Sequence, residues 1–326
     1  MNAHKSENKN IVLQAEHIKK KFNLEAGFFA SCGRFVYAVN DVSFTIGENE
    51  TYGLVGESGC GKTTTARTIV GMYKIDSGSI LYKGKETSKF LHKELKDYRE
   101  KVKYIFQDPA RSLNPRMNIY QILTSGWHWS THWQGNDYAK ERAASILEET
   151  GLSADDMYRR PAEFSGGQRQ RISIGRALIM QPEVLICDEV VSALDVSIQG
   201  QILNLLQDLR EKRKLSYLFI THDLKIACYF CDRIGVMYRG CLVEEADASN
   251  LFQTAKHPYT QLLFESAQSF STNVKGEVKT NIEELEGCPF VHRCPKVTKR
   301  CKYQMPPLVN VSKENESPHL LRCFEN

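Results

Sequence analysis

Tyr52-Gly53-Leu54-Val55 runs directly into Gly56-Glu57-Ser58-Gly59-Cys60-Gly61-Lys62-Thr63, and a helical stretch follows from Thr63 to Val70. A short apolar strand, a glycine-rich turn and a helix, with the pattern G-x-x-x-x-G-K-[ST] at the junction, restrict the fold more than any other feature of the chain. Glycines permit a tight loop whose backbone N–H groups point inward, and the helix start adds the positive end of its dipole, so the segment is built to hold phosphate. In that geometry the backbone from Gly56 to Thr64 (Gly56, Glu57, Ser58, Gly59, Cys60, Gly61, Lys62, Thr63 and Thr64) is expected to cradle the phosphates of a nucleotide. Lys62 is expected to reach the β- and γ-phosphates and Thr63 to ligate Mg2+. The loop alone does not separate a transporter motor from a GTPase or a kinase.

A companion element follows at Val184-Leu185-Ile186-Cys187-Asp188-Glu189, a buried strand carrying two acids at its carboxyl end, where sheets of this kind present their ligands. Asp188 is expected to hold Mg2+, directly or through water, and Glu189 to polarise the attacking water. A periodic helix with Ile198, Ile202, Leu205, Leu206 and Leu209 leads on to the strand Tyr217-Leu218-Phe219-Ile220, which makes a βαβ unit and hence a parallel sheet. Arg210, Lys212, Arg213 and Lys214 close that helix and complement its dipole. Earlier, Val36, Ala38, Val42, Phe44 and Ile46 alternate as in a half-buried strand broken at Asn40. Residues 139–150 set Ala143, Ile146 and Leu147 on one helical face with Gly151 as a stop, a helical insertion in mid-chain.

A chain of 326 residues, 41% hydrophobic and 25% charged, has room for one large α/β domain and a small appendix. Its net charge of +4 is dispersed rather than gathered into a nucleic-acid footprint. No apolar stretch approaches the length of a membrane span, and the opening MNAHKSENKN has no signal-peptide core, so a cytosolic protein is expected. In that reducing compartment clustered cysteines point to metal binding more than to disulfides. Four of the ten cysteines, Cys288, Cys294, Cys301 and Cys323, crowd the end of the chain, beyond a polar, aperiodic segment at 266–286. Four thiolates complete either a zinc site or a [4Fe–4S] cluster.

Phe164-Ser165-Gly166-Gly167-Gln168 opens a helix with a second cradle of small residues and resembles the signature motif of the ATP-binding-cassette (ABC) family. Other family motifs stand in order: Gln107 after the strand Val102 to Phe106, Ser192-Ala193-Leu194-Asp195 after Glu189, and His222 after Tyr217 to Thr221. The resemblance implies an α/β P-loop NTPase of ABC type over residues 1–265, with a parallel-sheet core, an antiparallel β subdomain and a helical insertion at about 110–180. A linker at 266–286 and a cysteine-rich module at 287–326 complete the chain. It further implies an ATPase in which two cassettes face head to tail, the cradle Ser165, Gly166, Gly167 and Gln168 of one meeting the γ-phosphate held by Lys62 of the other. Gln107 then senses Mg2+ and the γ-phosphate, His222 contacts the γ-phosphate, and Asp195 couples the two sites. Phe22, by its position after Lys20-Lys21, is the expected adenine-stacking ring, with Phe28, Phe29, Phe35 and Tyr37 as the other candidates.

Gln107-Asp108-Pro109, Ser112-Leu113-Asn114-Pro115-Arg116, His257-Pro258-Tyr259-Thr260 and the tail from Gly287-Cys288 are similar to the ATPases of oligopeptide and dipeptide importers, in particular the second, "F"-type subunit. That branch implies a motor at the cytoplasmic face of the membrane with a sister ABC ATPase, two transmembrane permease subunits and an extracytoplasmic substrate-binding protein, and no nucleic acid. Its similar tail is associated with an iron–sulfur cluster, which favours [4Fe–4S] over Zn2+. The other functional class is a soluble ABC ATPase acting on DNA, ribosomes or iron–sulfur assembly; a single cassette, no long coiled-coil insertion and no basic stripe argue against it. One departure from the family is Val190 in place of a proline, which removes a fixed φ after Glu189. The phosphate site is expected to be independent of the tail across the polar linker.

Overall fold

The computed structural model describes residues 10–23, 35–130, 132–268, 285–314 and 316–325; Phe28, Phe29 and most of the expected linker lie outside them. Two compact units result, one from both ends of the chain (Met1–Lys89 with Leu218–Asn326) and one from its middle (Phe90–Tyr217).

The first unit begins with a long antiparallel pair, β1 (Ile11–Asn23) and β2 (Phe35–Gly47). β3 (Thr51–Val55) is buried throughout and precedes α1 (Lys62–Ile69). β4 (Ser77–Tyr82) pairs antiparallel with β1, and β5 (Lys85–Glu86) with β4. The alternation of β2 buries Val42, Phe44 and Ile46 as expected. Asn40 interrupts it because its side-chain amide donates to the Arg239 carbonyl at 3.0 Å, so the buried polar side chain is satisfied, while its backbone N–H donates to the Gly240 carbonyl at 2.7 Å.

The middle unit runs through α2 (His92–Lys101), β6 (Val102–Ile105), α3 (Pro109–Ser112), α4 (Ile119–Thr124), α5 (Asn136–Glu149), α6 (Gly166–Leu178), β7 (Val184–Asp188) and α7 (Val196–Arg213). β8 (Ser216–Thr221) straddles the boundary. β6 and β7 are parallel, from Val102 opposite Val184 to Ile105 opposite Cys187. The helical insertion expected at about 110–180 is the run from α3 to α6. α5 buries Ala139, Ala143, Ile146 and Leu147, and Gly151 follows it at φ +76°. The basic end of α7 does more than complement its dipole, since Arg213 Nε donates to Glu149 Oε1 at 2.6 Å and its Nη2 to Glu149 Oε2, tying α7 to α5.

Back in the first unit come α8 (Leu224–Phe230), β9 (Arg233–Tyr238), β10 (Cys241–Asp247), α9 (Ala248–Thr254), α10 (Pro258–Gln268), α11 (Lys299–Tyr303), β11 (Val309–Asn310) and β12 (Leu320–Leu321). β9 pairs parallel with β3 and antiparallel with β10. The cysteine-rich tail belongs to this unit: β12 adds to β10, with Leu321 opposite Glu244. Leu321 and Phe290 are buried, Arg322 bonds Asp41 at 2.7 Å and the Leu242 carbonyl at 2.8 Å, and His319 Nε2 meets the fully buried Glu244 at 2.7 Å. Burial pushes the Asp41 carboxyl up, but His17 and Arg322 outweigh that and hold it below the usual range. Apolar burial and paired charges therefore join the tail to the sheet, in contrast to the independence expected from the sequence, and α10 carries regular structure three residues into the expected linker, to Gln268.

Candidate functional site

Buried β3 delivers Gly56 to the turn, and α1 starts at Lys62 with Gly61 as its N-cap at φ +109°. A Cβ on Gly61 would stand 2.1 Å from the backbone oxygen of Ala38, so only glycine fits. Lys62 is 4% exposed; its Nζ donates to the carbonyls of Gly56 at 2.6 Å and Glu57 at 3.0 Å, which fixes the ammonium inside the loop. Ser58 and Gly59 are exposed at the tip and Thr63 and Thr64 are half-buried at the first turn of α1. Burial pushes the Cys60 thiol up, so it stays protonated and acts as packing.

Glu57 is held from three directions. Its N–H donates to the Tyr259 hydroxyl at 2.9 Å, its carbonyl accepts from Lys62, and its carboxylate takes a two-pronged contact from Arg293 at 2.9 and 3.0 Å. The Arg293 guanidinium lies over the rings of Tyr238 at 5.7 Å and Phe290 at 5.8 Å. Sequence reasoning missed Arg293: its partner lies 236 residues away, and an arginine between two cysteines carries no local signal.

In the middle unit the β6–β7 register sets Tyr104 and Ile105 beside Ile186 and Cys187. The Tyr104 hydroxyl donates to Asp188, which is 1% exposed, and Gln107 Nε2 donates to Glu189 Oε2 at 2.7 Å. Gln107, Asp188 and Glu189 are thus brought together, and Tyr104 is a further member that the sequence did not flag. Glu189 has φ +48°, a left-handed conformation rare for a residue with a side chain and found at functional sites. A following proline would restrict this residue's backbone, and Val190, 2% exposed, imposes no such limit. The turn is tied by Ser192, whose N–H and hydroxyl both donate to the Glu189 carbonyl, at 3.2 and 2.9 Å.

Ser165 caps α6 reciprocally with Gln168: the Gln168 N–H donates to Ser165 Oγ at 3.3 Å and the Ser165 N–H to Gln168 Oε1 at 2.9 Å. Ser165 and Gly166 are exposed while Gly167 and Gln168 are half-buried. Asp195 is exposed at the start of α7, and its side chain makes no cap bond. His222 is exposed just after β8, in the first unit. Phe22 is half-buried, edge-on to Tyr73 at 5.2 Å with Lys20 Nζ 5.3 Å from its ring centre, while Lys21 covers Phe35 at 4.5 Å.

Three of the tail thiols, Cys288, Cys294 and Cys323, are raised by their surroundings. Burial first, and then the proximity of Cys301, Cys294 and Cys323, pushes Cys288 up to about 11, and burial likewise raises Cys294 and Cys323. The Cys288 N–H donates to the Cys301 carbonyl at 2.8 Å, and Thr298 Oγ1 lies 3.2 Å from Cys301 Sγ. Among the described residues, however, no group of three or more His, Cys, Asp or Glu is arranged to hold a metal ion. The thiols are neighbours without being gathered round one point. Nor is any described helix long and apolar enough to cross a membrane.

The sequence family described as "ABC transporter" matches residues 39–192, and the one described as "Oligopeptide/dipeptide transporter, C-terminal region" matches residues 243–301. The oligopeptide transport ATP-binding protein AppF of Bacillus subtilis is 39% identical over 97% of this chain and 98% of its own. OppF of Haemophilus influenzae, another oligopeptide transport ATP-binding protein, is 39% identical over 98% of each. Among solved structures, cbiO1 from Clostridium perfringens, part of the ABC transporter complex cbiONQ, aligns with a TM-score of 0.64 at 25% identity, covering 76% of this chain and 92% of that one. The ATP-binding cassette MJ0796, solved as a post-hydrolysis dimer bound to ADP and Pi, aligns at 0.63 and 25% identity over 72% and 98%. With matches of this extent, the chain belongs to the ABC transporter family of ATPases, which hydrolyse ATP to power transport, and to its oligopeptide/dipeptide branch.

Proposed function

We propose that this chain is the motor of a peptide importer, binding MgATP at Gly56–Thr64 and hydrolysing it with Glu189 as the base. The observation that carries the reading is the contact of Gln107 with Glu189 beside the tyrosine-held Asp188, because a phosphate loop alone also fits GTPases and kinases. Asp188 and Thr63 offer the hard oxygen donors that suit Mg2+, whose charge offsets that of the phosphates. Glu189 takes the proton of the attacking water, Gln107 orients its carboxylate, Lys62 and His222 meet the γ-phosphate, and Phe22 stacks on adenine. Ser165 and Gly167 serve the partner's nucleotide, Gly166 and Gln168 shape that helix start, and Asp195 links the two sites. The dimeric MJ0796 cassette and the exposure of Ser165 and Gly166 support this division of labour.

The partners in this reading are a sister ATPase, two permease subunits and an extracytoplasmic substrate-binding protein, with the chain on the cytoplasmic face. Peptide as cargo rests on relatives named for oligopeptide transport and on the matching C-terminal region. The soluble alternative, acting on DNA, ribosomes or iron–sulfur assembly, is not favoured by those relatives. Cys288, Cys294, Cys301 and Cys323 are soft donors suited to a [4Fe–4S] cluster, or to Zn2+ in the alternative, which would cross-link the tail covalently. The test is reconstitution with the co-purifying permease subunits in proteoliposomes: uptake of labelled oligopeptide that requires ATP is expected. A chain that sediments with ribosomes or DNA and brings no permease would favour the soluble class.

A further inference from the structure

The tail reaches the phosphate loop at Glu57. Arg293 approaches its carboxylate with Nη1 and Nη2 at 2.9 and 3.0 Å, a fork-to-fork contact whose geometry is fixed in angle as well as in distance. Both groups are partly screened from water: the side chains are 11% and 22% exposed, and the rings of Tyr238 and Phe290 lie beside the guanidinium. Through its backbone Glu57 is bonded to two further groups, the Tyr259 hydroxyl and Lys62 Nζ, the latter also held by Gly56. Arg293 is itself placed by the turn that follows Cys288, where its N–H donates to the Phe290 carbonyl at 3.0 Å. A continuous path of contacts therefore runs from the tail turn through Arg293 and Glu57 to the ammonium of Lys62.

We propose that Arg293 is a positioning residue of the ATP site, which neutralises Glu57 at the edge of the phosphate loop and, through the Glu57 backbone, sets the place of Lys62. This rests on the reading of Gly56–Thr64 as the ATP site. Two consequences follow from charge. Without Arg293, a partly buried carboxylate stands unpaired beside a site for a polyanion and repels it. Without both charges, the repulsion disappears, so the two substitutions are not additive.

The experiment measures equilibrium binding of the ATP analogue AMP-PNP with Mg2+, and steady-state ATP hydrolysis, on the full chain in complex with its co-purified subunits. Arg293→Ala is expected to weaken AMP-PNP binding and raise KM for ATP roughly tenfold, with a smaller change in kcat, as loss of ground-state binding requires. Arg293→Lys should recover part of the affinity, and Arg293→Ala with Glu57→Gln should bind more tightly than Arg293→Ala alone. A tail needed only for folding would lower the active fraction without moving KM and would give no rescue. Should Arg293→Ala fail to fold, Arg293→Lys and the charge-neutral pair Arg293→Gln with Glu57→Gln carry the same comparison. Lys62→Ala is the control: if it abolishes binding while Arg293→Ala binds like wild type, or if the double variant is no better than Arg293→Ala, the proposal is overturned and the ATP site stands. If Lys62→Ala also binds normally, the site reading falls and takes the proposal with it.

Discussion

Two glycines of the phosphate loop, two residues apart, give opposite expectations for the same substitution. Both have positive φ, +80° at Gly59 and +109° at Gly61, so alanine at either position meets the backbone penalty of the left-handed side, about 1–2 kcal/mol. At Gly59 that is the whole effect, because an added Cβ finds nothing within 4 Å. At Gly61 the Cβ would lie 2.1 Å from the Ala38 carbonyl oxygen, a backbone atom in β2 that cannot rotate away. The start of α1 must shift by more than 1 Å to restore ordinary contact, and the amides that point at phosphate shift with it. Misplacement of that size is expected to weaken nucleotide binding about 100-fold. Gly59→Ala should stay within about tenfold of wild type, with a lowered melting temperature in proportion to its backbone strain. Titration of both variants with MgADP, with melting followed in the same samples, tests this. Equal affinities, with Gly61→Ala no worse than Gly59→Ala, would refute the steric account of the loop.

His257 is 1% exposed, and burial lowers its pKa to about 4, against the pull of Glu244. The unfolded chain therefore binds more protons between about pH 6.5 and 4, so this stabilisation is complete above 6.5 and lost as pH falls towards 4. Urea unfolding should show stability about 2 kcal/mol lower at pH 5 than at pH 7 from this group, and His257→Gln should flatten the slope. Protein purified without oxygen should be brown with about four irons and four sulfides per chain, both lost in Cys294→Ser; zinc without iron selects the other metal, and no metal at all leaves four ordinary thiols. Ser165→Arg should depress hydrolysis at the partner's phosphate loop while this chain's own ATP affinity is retained, and loss of that local affinity would contradict the head-to-tail arrangement.

The strand, glycine turn and helix around Gly61 and Lys62 were legible because their signals are local: an apolar run, closely spaced glycines and a helix start lie within one short stretch. The same holds for α5, whose apolar face and terminal Gly151 are written in one short stretch, and for Ser165 with Gln168, three residues apart on a capping turn. What the sequence hid depends on distant pairing. Asn40 reads as a flaw in a strand until its partner Arg239 is known, 199 residues away. Tyr104 reads as one more aromatic residue in a strand, and only the parallel register of β6 with β7 sets it against Asp188. The tail reads as a separate module because polar residues precede it. The ties that hold it to the sheet, Arg322 to Asp41 and His319 to Glu244, span 281 and 75 residues, and the tie to the loop, Arg293 to Glu57, spans 236.

The central claim is that Glu189 is the base of an ATP-driven motor, and the variant Glu189→Gln tests it most directly, because the amide keeps shape and hydrogen-bonding length while losing the proton acceptor. The measurement is ATP binding and ATP turnover on the same preparation of the assembled transporter. The account predicts retained binding, turnover reduced by a factor of about 100 or more, and a closed dimer that accumulates with ATP bound. Turnover near the wild-type rate with binding intact would contradict it and remove Glu189 from the chemistry.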